Sequence, residues 1–306
     1  GNARRNLDKF RNKMCTFNDD MQGTGIVATA NVIAAVKAKG EELKTQKIIM
    51  FGAGTAGCGI ADQIWDALKA SGMTEEEAYQ SIYLVDRFGL VTEHLSDIPS
   101  FQQPYIKGAS EVESWDVKDK SNISLLETVK AIQPTILIGV STVKGAFTEE
   151  VVKEMYAHTK HPIIMPLSNP NSRSEAEPKD LIQWTDGNAV IAAGSPYDPV
   201  EYKGKTYRVS QGNNAFIFPG LGLGAIAVQA NRMTDNMIRA ACLTLSEFSP
   251  TLKDKTAPLL PPVKDIGKVS QAVAHAVAEQ AIKDGVAEKT GDLTKLINKA
   301  SWKPEY

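Results

Sequence analysis

Lys47-Ile48-Ile49-Met50-Phe51-Gly52-Ala53-Gly54-Thr55-Ala56-Gly57 is a short apolar run that passes directly into Gly-x-Gly-x-x-Gly. A strand ending in this spacing, with a helix opening on it, has the form of a dinucleotide pyrophosphate cradle. The tight turn needs Gly52, close approach of backbone to phosphate needs Gly54, and close packing of helix on strand needs Gly57. The helical pattern from Ile60 to Lys69 then offers N–H groups and a positive dipole end to a diphosphate. Gly52, Ala53, Gly54, Thr55, Ala56 and Gly57 are therefore the candidate cofactor-binding loop.

Glycines also cluster in ordinary turns, so the motif gains weight from its surroundings. A second apolar run, Ser81-Ile82-Tyr83-Leu84-Val85, closes on Asp86 and completes a βαβ unit, although the acid comes later than the usual ~20 residues. At a strand's carboxyl end Asp86 can accept from adenosine ribose hydroxyls, which favours NAD. It is equally suited to being a simple turn acid. Arg87 beside it could hold a ribose 2′-phosphate instead, so the residues alone leave NAD and NADP open.

Working outward, apolar strands recur at Thr135–Gly139, Pro162–Leu167 and Ala189–Ala193, with helical stretches such as Thr148–His158 between them. That alternation predicts an α/β fold with a doubly wound parallel sheet of the Rossmann type. Ligands of such sheets bind outside the carboxyl ends of the strands. The residues there read Gly52-Ala53-Gly54, Asp86-Arg87, Val140-Ser141-Thr142, Ser168-Asn169-Pro170 and Gly194-Ser195-Pro196. Each of these is also ordinary turn chemistry.

Two segments stand outside the alternating core. One runs from residue 1 to about 22, an amphipathic helix followed by Thr16-Phe17-Asn18-Asp19-Asp20. The other begins near Gly212-Asn213-Asn214 and is mostly helical, through Ala225–Phe248 and, after Pro258-Leu259-Leu260-Pro261-Pro262, through Ile266–Lys283. In that last helix Ile266, Val269, Val273, Val277 and Ala281 share one face.

The 306 residues, 42% of them apolar, can build one large domain or two ordinary ones around a substantial core. A formal net charge of −2, without basic runs interleaved with aromatics, argues against nucleic acid as a partner. No apolar segment approaches the ~20 residues a bilayer span needs, so no membrane partner is expected. Cys15, Cys58 and Cys242 are too few and scattered for a disulfide framework or metal knuckle, and a cytoplasmic location is the expectation.

Asp19 and Asp20 are adjacent carboxylates in a segment read as non-helical, just before Gln22-Gly23-Thr24, where a helix opens. Oxygen ligands suit Mg2+ or Mn2+, and a hard cation acts as a Lewis acid on a hydroxy acid. The competing reading makes the pair a helix N-cap and its neighbour.

The run Cys15-Thr16-Phe17-Asn18-Asp19-Asp20-Met21-Gln22-Gly23-Thr24-Gly25, the glycine loop, Leu167-Ser168-Asn169-Pro170, Gly194-Ser195-Pro196-Tyr197-Asp198-Pro199 and Gln211-Gly212-Asn213-Asn214 occur in this order. Together they resemble the malic enzymes and the related malolactic enzymes. The resemblance covers essentially the whole chain, down to Trp302-x-Pro304-Glu305-Tyr306. It implies that Asp20 is a metal ligand, that Asp19 beside it supports catalysis, that Asn169 meets nicotinamide and substrate, and that Asn214 meets substrate. An amide suits both because it donates and accepts without carrying charge, although Asn is also a common turn residue.

By that resemblance L-malate is oxidised with hydride transfer to NAD, oxaloacetate loses CO2, and pyruvate is formed. The cation would hold the charge that develops. In a malolactic enzyme the retained cofactor would instead return the hydride to give lactate. A noncatalytic nucleotide-sensing module is the alternative of another class, and it has no use for Asp20, Asn169 and Asn214.

The chain departs from the family in lacking a preceding substrate domain, with its tyrosine acid, lysine base, arginine and Glu-Asp pair. The expectation is a truncated chain, inactive alone, with Gly1 a cloning remnant. Residues 1–18 would be a residual helix of the missing domain, 19–213 the dinucleotide-binding domain, and 214–306 a helical segment that returns to the missing domain. Apolar helices without a partner would then leave an exposed patch that favours self-association, in keeping with a homo-oligomeric parent.

Overall fold

Every strand expected at the core of the chain forms, each end within one residue of its apolar run. The computed structural model describes residues 2–254 and 257–302. Gly1 and the end of the closing Trp302-x-Pro304-Glu305-Tyr306 word lie outside the described residues.

The strands are β1 (Ile48–Phe51), β2 (Ile82–Asp86), β3 (Gly89–Leu90), β4 (Ile136–Gly139), β5 (Ile163–Pro166), β6 (Val190–Ala193), β7 (Val200–Tyr202), β8 (Lys205–Tyr207) and β9 (Ser210–Gln211). Seven of them form one sheet in the order β3-β2-β1-β4-β5-β6-β9, while β7 and β8 make a separate hairpin. All pairings in the large sheet are parallel except β2 with β3. Only Arg87 and Phe88 separate those two strands, too few residues for a parallel crossover, so the chain returns antiparallel. The expected all-parallel sheet is thus mixed at one edge.

Register and pleat sort the apolar side chains into two layers. Ile48 stands opposite Ile82 and Ile136, and Ile136 opposite Ile163. These side chains join Met50, Leu84, Ile138 and Met165 on one face, while Ile49, Val85, Leu137, Ile164 and Ile191 pack on the other. Burial on both faces explains why the strands read as continuous apolar runs.

The helices are α1 (Asn2–Phe10), α2 (Thr24–Lys39), α3 (Thr55–Ala70), α4 (Glu75–Gln80), α5 (Ala109–Val112), α6 (Leu125–Ile132), α7 (Glu149–His158), α8 (Pro178–Trp184), α9 (Phe218–Ala227), α10 (Asp235–Glu247), α11 (Ile266–Lys283) and α12 (Leu293–Ala300). Helix α3 starts at Thr55, a full turn before the expected Ile60. Gly57 and Gly59 disguise that turn because glycine is a poor helix former. The expected single helix Ala225–Phe248 is two. Between them Asn231 N–H donates to Val286 O at 2.9 Å, and the Thr234 hydroxyl caps α10 by accepting from Met237 N at 3.1 Å.

Every residue of α2 from Gly25 to Val36 is buried. Ala28, Val32, Ala35 and Val36 join the layer over the sheet. Ile26, Val27, Ala30 and Ile33 join Met237, Cys242 and Leu245 of α10 and Val269, Val273 and Val277 of α11. The expectation that the C-terminal apolar helices lack a partner is therefore corrected, because α2 turns a second apolar face toward them. Large exposed apolar side chains remain in this part of the chain, including Phe218, Ile226 and Val263. No helix among the described residues is long and apolar enough to cross a membrane.

The unexpected helix α9, Phe218-Pro219-Gly220-Leu221-Gly222-Leu223-Gly224, owes its glycines to α11. A Cβ on Gly220 would lie 2.6 Å from Ser270 O, and one on Gly224 would lie 2.6 Å from Ala274 O. At Gly222 a Cβ would meet nothing within 4 Å. Gly220→Ala and Gly224→Ala should each destabilise the fold by about 1–3 kcal/mol through overpacking. Gly222→Ala should instead be neutral or stabilising by up to ~1 kcal/mol, from helix propensity. Urea unfolding of the three variants separates helix propensity from close approach, and equal effects would contradict the packing account.

Candidate functional site

The glycine loop lies at the carboxyl end of β1, between β2 on one side and β4 on the other, where the order of the strands reverses. Such a switch point opens a crevice in a doubly wound sheet. Gly52 has φ +104°, and a Cβ there would lie 2.7 Å from Ser141 N. A Cβ on Gly57 would lie 1.9 Å from Gly52 O, so α3 can sit this close only through glycine. Gly54 differs from both: a Cβ there meets nothing within 4 Å, and its φ is −73°. The protein's own packing does not require glycine at Gly54, whereas an approaching phosphate would.

Helix α3 opens on this space with Gly54 as its N-cap and no side-chain cap. The first helical bond runs from Cys58 N to Gly54 O at 2.9 Å. Uncapped N–H groups and the dipole end suit a diphosphate. Burial pushes the thiols of Cys58 and Cys242 up to about 12, so neither is a thiolate at neutral pH.

Asp86 ends β2 and accepts from Arg87 N at 2.8 Å and from Gln102 Nε2 at 3.1 Å. The same Gln102 nitrogen donates to Ala53 O at 2.6 Å, tying the glycine loop to the acid. Gln102 is buried, and nothing in the sequence pattern distinguishes it. Asp86, Arg87 and Gln102 line a cavity of ≈ 760 Å³ together with Val91, His94 and Ile98. The Arg87 guanidinium lies over the Phe88 ring, 4.5 Å from its centroid.

Across the switch point the ends of β4 and β5 are joined by Glu175, a fully buried carboxylate. Its Oε1 accepts from Ser141 N at 2.8 Å, Ser141 Oγ at 2.8 Å and Ser168 Oγ at 2.5 Å. Its Oε2 accepts from Ser168 N at 3.3 Å. A buried carboxylate persists only with such a set of donors. Glu175 thereby fixes the backbone on which Asn169 is carried, and the motif reading passed it over.

A second cavity, ≈ 330 Å³, is lined by Asp19, Asp20, Asn169 and Asn214 with Thr24, Asn31, Gly194 and Gly212 among others. Asp86 and Arg87 belong to the other cavity. Asp19 and Asp20 stand not in a non-helical segment but in a π-helical turn, Asp19–Gly23, continuous with α2. The cap is Asn18, whose side chain accepts from Met21 N at 2.9 Å while Gln22 Oε1 accepts from Asn18 N at 2.9 Å. The carboxylates are therefore free of capping duty.

Asn214 Nδ2 donates to Asp19 O and to Asp19 Oδ2, each at 3.1 Å, and lies 3.2 Å from Thr24 Oγ1. The other oxygen, Asp19 Oδ1, is buried without a hydrogen-bond partner among the described residues. It lies against Gly23, where a Cβ would come within 2.2 Å of it, so the half-buried Asp19 carboxylate carries an uncompensated acceptor. Asp20 is exposed on the same cavity. Among the described residues no group of three His, Cys, Asp or Glu is placed to hold a metal ion. The pair offers carboxylate oxygens of the kind a hard cation takes, short of a full set among the described acids. Thr24, Val27, Ala28 and Asn31 also line this cavity, at the 0, 3, 4, 7 spacing of one helix face, and that spacing could have revealed Asn31.

The family profile described as "Malic enzyme, NAD binding domain" matches residues 21–282. The chain is 50% identical over 307 residues to the NAD-dependent malic enzyme of Acinetobacter baylyi, and 48% identical to that of Photorhabdus laumondii. It is 47% identical to the NAD-dependent malic enzyme of Escherichia coli. Each alignment covers 100% of this chain and 54% of the relative, so the chain spans about half the length of these proteins. Among solved structures, the malic enzyme of Entamoeba histolytica superposes with a TM-score of 0.77 at 24% identity, covering 98% of this chain and 56% of that one. The malic enzyme of Pyrococcus horikoshii gives 0.75 at 23% identity, covering 98% and 63%. At that identity the superpositions bear on the fold alone.

The cradle geometry separates two kinds of glycine. Gly57→Ala should cost about 1–3 kcal/mol or more of stability, whereas Gly54→Ala should change it by less than about 1 kcal/mol. Gly54→Val should keep the fold and lose NAD affinity. Thermal unfolding paired with NAD titration checks both halves, and unchanged affinity in Gly54→Val would contradict the cradle.

Proposed function

The chain belongs to the malic enzyme family, and from that membership we propose that it is the cofactor-binding portion of a metal-dependent, NAD-linked malic enzyme. The reaction is the oxidative decarboxylation of L-malate: malate and NAD+ give oxaloacetate, NADH and a proton, and oxaloacetate takes up a proton to give pyruvate and CO2. The observation that carries this reading is the gathering of Asp19, Asp20, Asn169 and Asn214 around one cavity on the second half of a dinucleotide-binding sheet. A nucleotide-sensing module has no need of that cluster.

The glycine loop and the start of α3 hold the diphosphate. Asp86 accepts from the adenosine ribose hydroxyls, its carboxylate fixed by Gln102 and the Arg87 N–H. A carboxylate there repels a 2′-phosphate, and the Arg87 side chain is stacked over Phe88, which together favour NAD over NADP. Across the switch point, Asn169 and Gly194 line the cavity that would hold the nicotinamide.

Asp20, with Asp19 beside it, would hold Mg2+ or Mn2+, which when bound supplies a Lewis acid to the 2-hydroxy acid. Asn214 keeps Asp19 in position through its two hydrogen bonds, and the remaining amide valences of Asn214 and Asn169 orient carboxylate and carboxamide without adding charge. The described part of the cavity offers carboxylates, amides and a hydroxyl but no lysine, histidine or tyrosine for proton transfer. In this reading those groups come from outside the chain, and the chain alone is inactive.

Two measurements test the proposal. The intact protein, given malate, NAD and Mn2+, should produce pyruvate and NADH in equal amounts, whereas lactate without net NADH would establish a malolactic enzyme instead. Asp20→Asn should weaken Mn2+ binding at least about tenfold by electron paramagnetic resonance titration, as expected for losing a direct charged ligand. Unaltered Mn2+ affinity would remove Asp20 from the metal site.

A further inference from the structure

Helix α2 carries one polar side chain that its packing does not satisfy at the cavity. Asn31 is completely buried, yet it lines the cavity that holds Asp19, Asp20, Asn169 and Asn214. Its Nδ2 donates to Val27 O at 2.9 Å. A carbonyl can only accept, so the amide orientation is fixed by that bond, and Oδ1 must point elsewhere. Oδ1 has no partner among the described residues. Placing an acceptor in a helix interior otherwise surrounded by Val27, Ala28, Ala30 and Val32 costs stability unless a donor meets it.

Resting on the dinucleotide reading above, we propose that Asn31 is a specificity-determining residue whose Oδ1 accepts a hydrogen bond from the carboxamide NH2 of the cofactor's nicotinamide. The ligand group must be a donor. The carboxylates of malate and the oxygens of an oxo acid are acceptors, and an amide oxygen repels them. The malate hydroxyl is a donor, but the reaction requires it beside the acids of the Asp19–Gly23 turn. Asn31 lies seven residues beyond Thr24, roughly 10 Å along the helix axis at 1.5 Å per residue. One hydroxyl cannot serve both places. A planar NH2 carried on the ring, on the half of the sheet that receives the nicotinamide, matches the position and the chemistry.

The test uses dissociation constants for NAD and for 3-acetylpyridine adenine dinucleotide, in which a methyl group replaces the carboxamide NH2. The intact wild-type protein should bind the analogue about three- to tenfold more weakly than NAD, the range of one net hydrogen bond. In Asn31→Ala, which leaves Val27 O with its helical N–H partner, that gap should close. Asn31→Ser, whose hydroxyl can keep a bond to Val27 O, should close it as well and serves if the alanine variant folds poorly. A gap that persists in the variants while NAD still binds overturns the role of Asn31 alone. Absence of NAD binding in the wild type overturns the dinucleotide reading on which it rests.

Discussion

Helix α2 has no solvent face over its central three turns, and the site depends on that constraint. One side of it closes the apolar layer above the sheet, and the other receives α10 and α11. Its position is therefore set by two cores at once, and groups attached to it inherit that rigidity. The π-helical turn at its start carries Asp19 and Asp20, and Asn214 is bound to it across 195 residues of sequence through the Asp19 carboxylate and carbonyl. Loosening either core would move the acids relative to the strand ends, which is why packing far from the cavity bears on its geometry.

The remaining walls of the crevice are set by polar contacts that tolerate no vacancy. Glu175 collects four donors from the ends of β4 and β5, and Gln102 joins the glycine loop to Asp86. These contacts hold loops that would otherwise be mobile at strand ends. Low local dielectric makes each bond strong and each missing partner costly. Of the buried side-chain polar atoms without a partner among the described residues, Asp19 Oδ1 and Asn31 Oδ1 belong to residues that line the cavity between α2 and the strand ends.

Much of this architecture was legible in the residues. Continuous apolar runs gave five strands within two residues, because strands buried on both faces need no alternation to betray them. The glycine loop was legible because phosphate approach and helix–strand contact demand glycine at fixed spacing. What stayed hidden was helix start and stop. Gly57 reads as a close-packing glycine and is one, but α3 starts a turn earlier than expected, and the close approach at Gly220 and Gly224 depends on α11, distant in sequence. The tertiary role of Gln102 and Glu175 was equally invisible, since each acts through partners distant in sequence. The two-sided burial of α2 was the largest omission, and it led to the expectation of C-terminal helices without a partner.

The central claim is that one bound dinucleotide spans the switch point, from Asp86 to the cavity of Asp19, Asn31 and Asn169. Backbone amide chemical shifts of deuterated intact protein, followed during NAD titration, test it most directly. The account predicts saturable shifts at Gly54, Ala56 and Gly57, at Asp86, and at Ser168 and Asn169, all with one dissociation constant. Shifts confined to one side of the switch point, or none in the glycine loop, would contradict it.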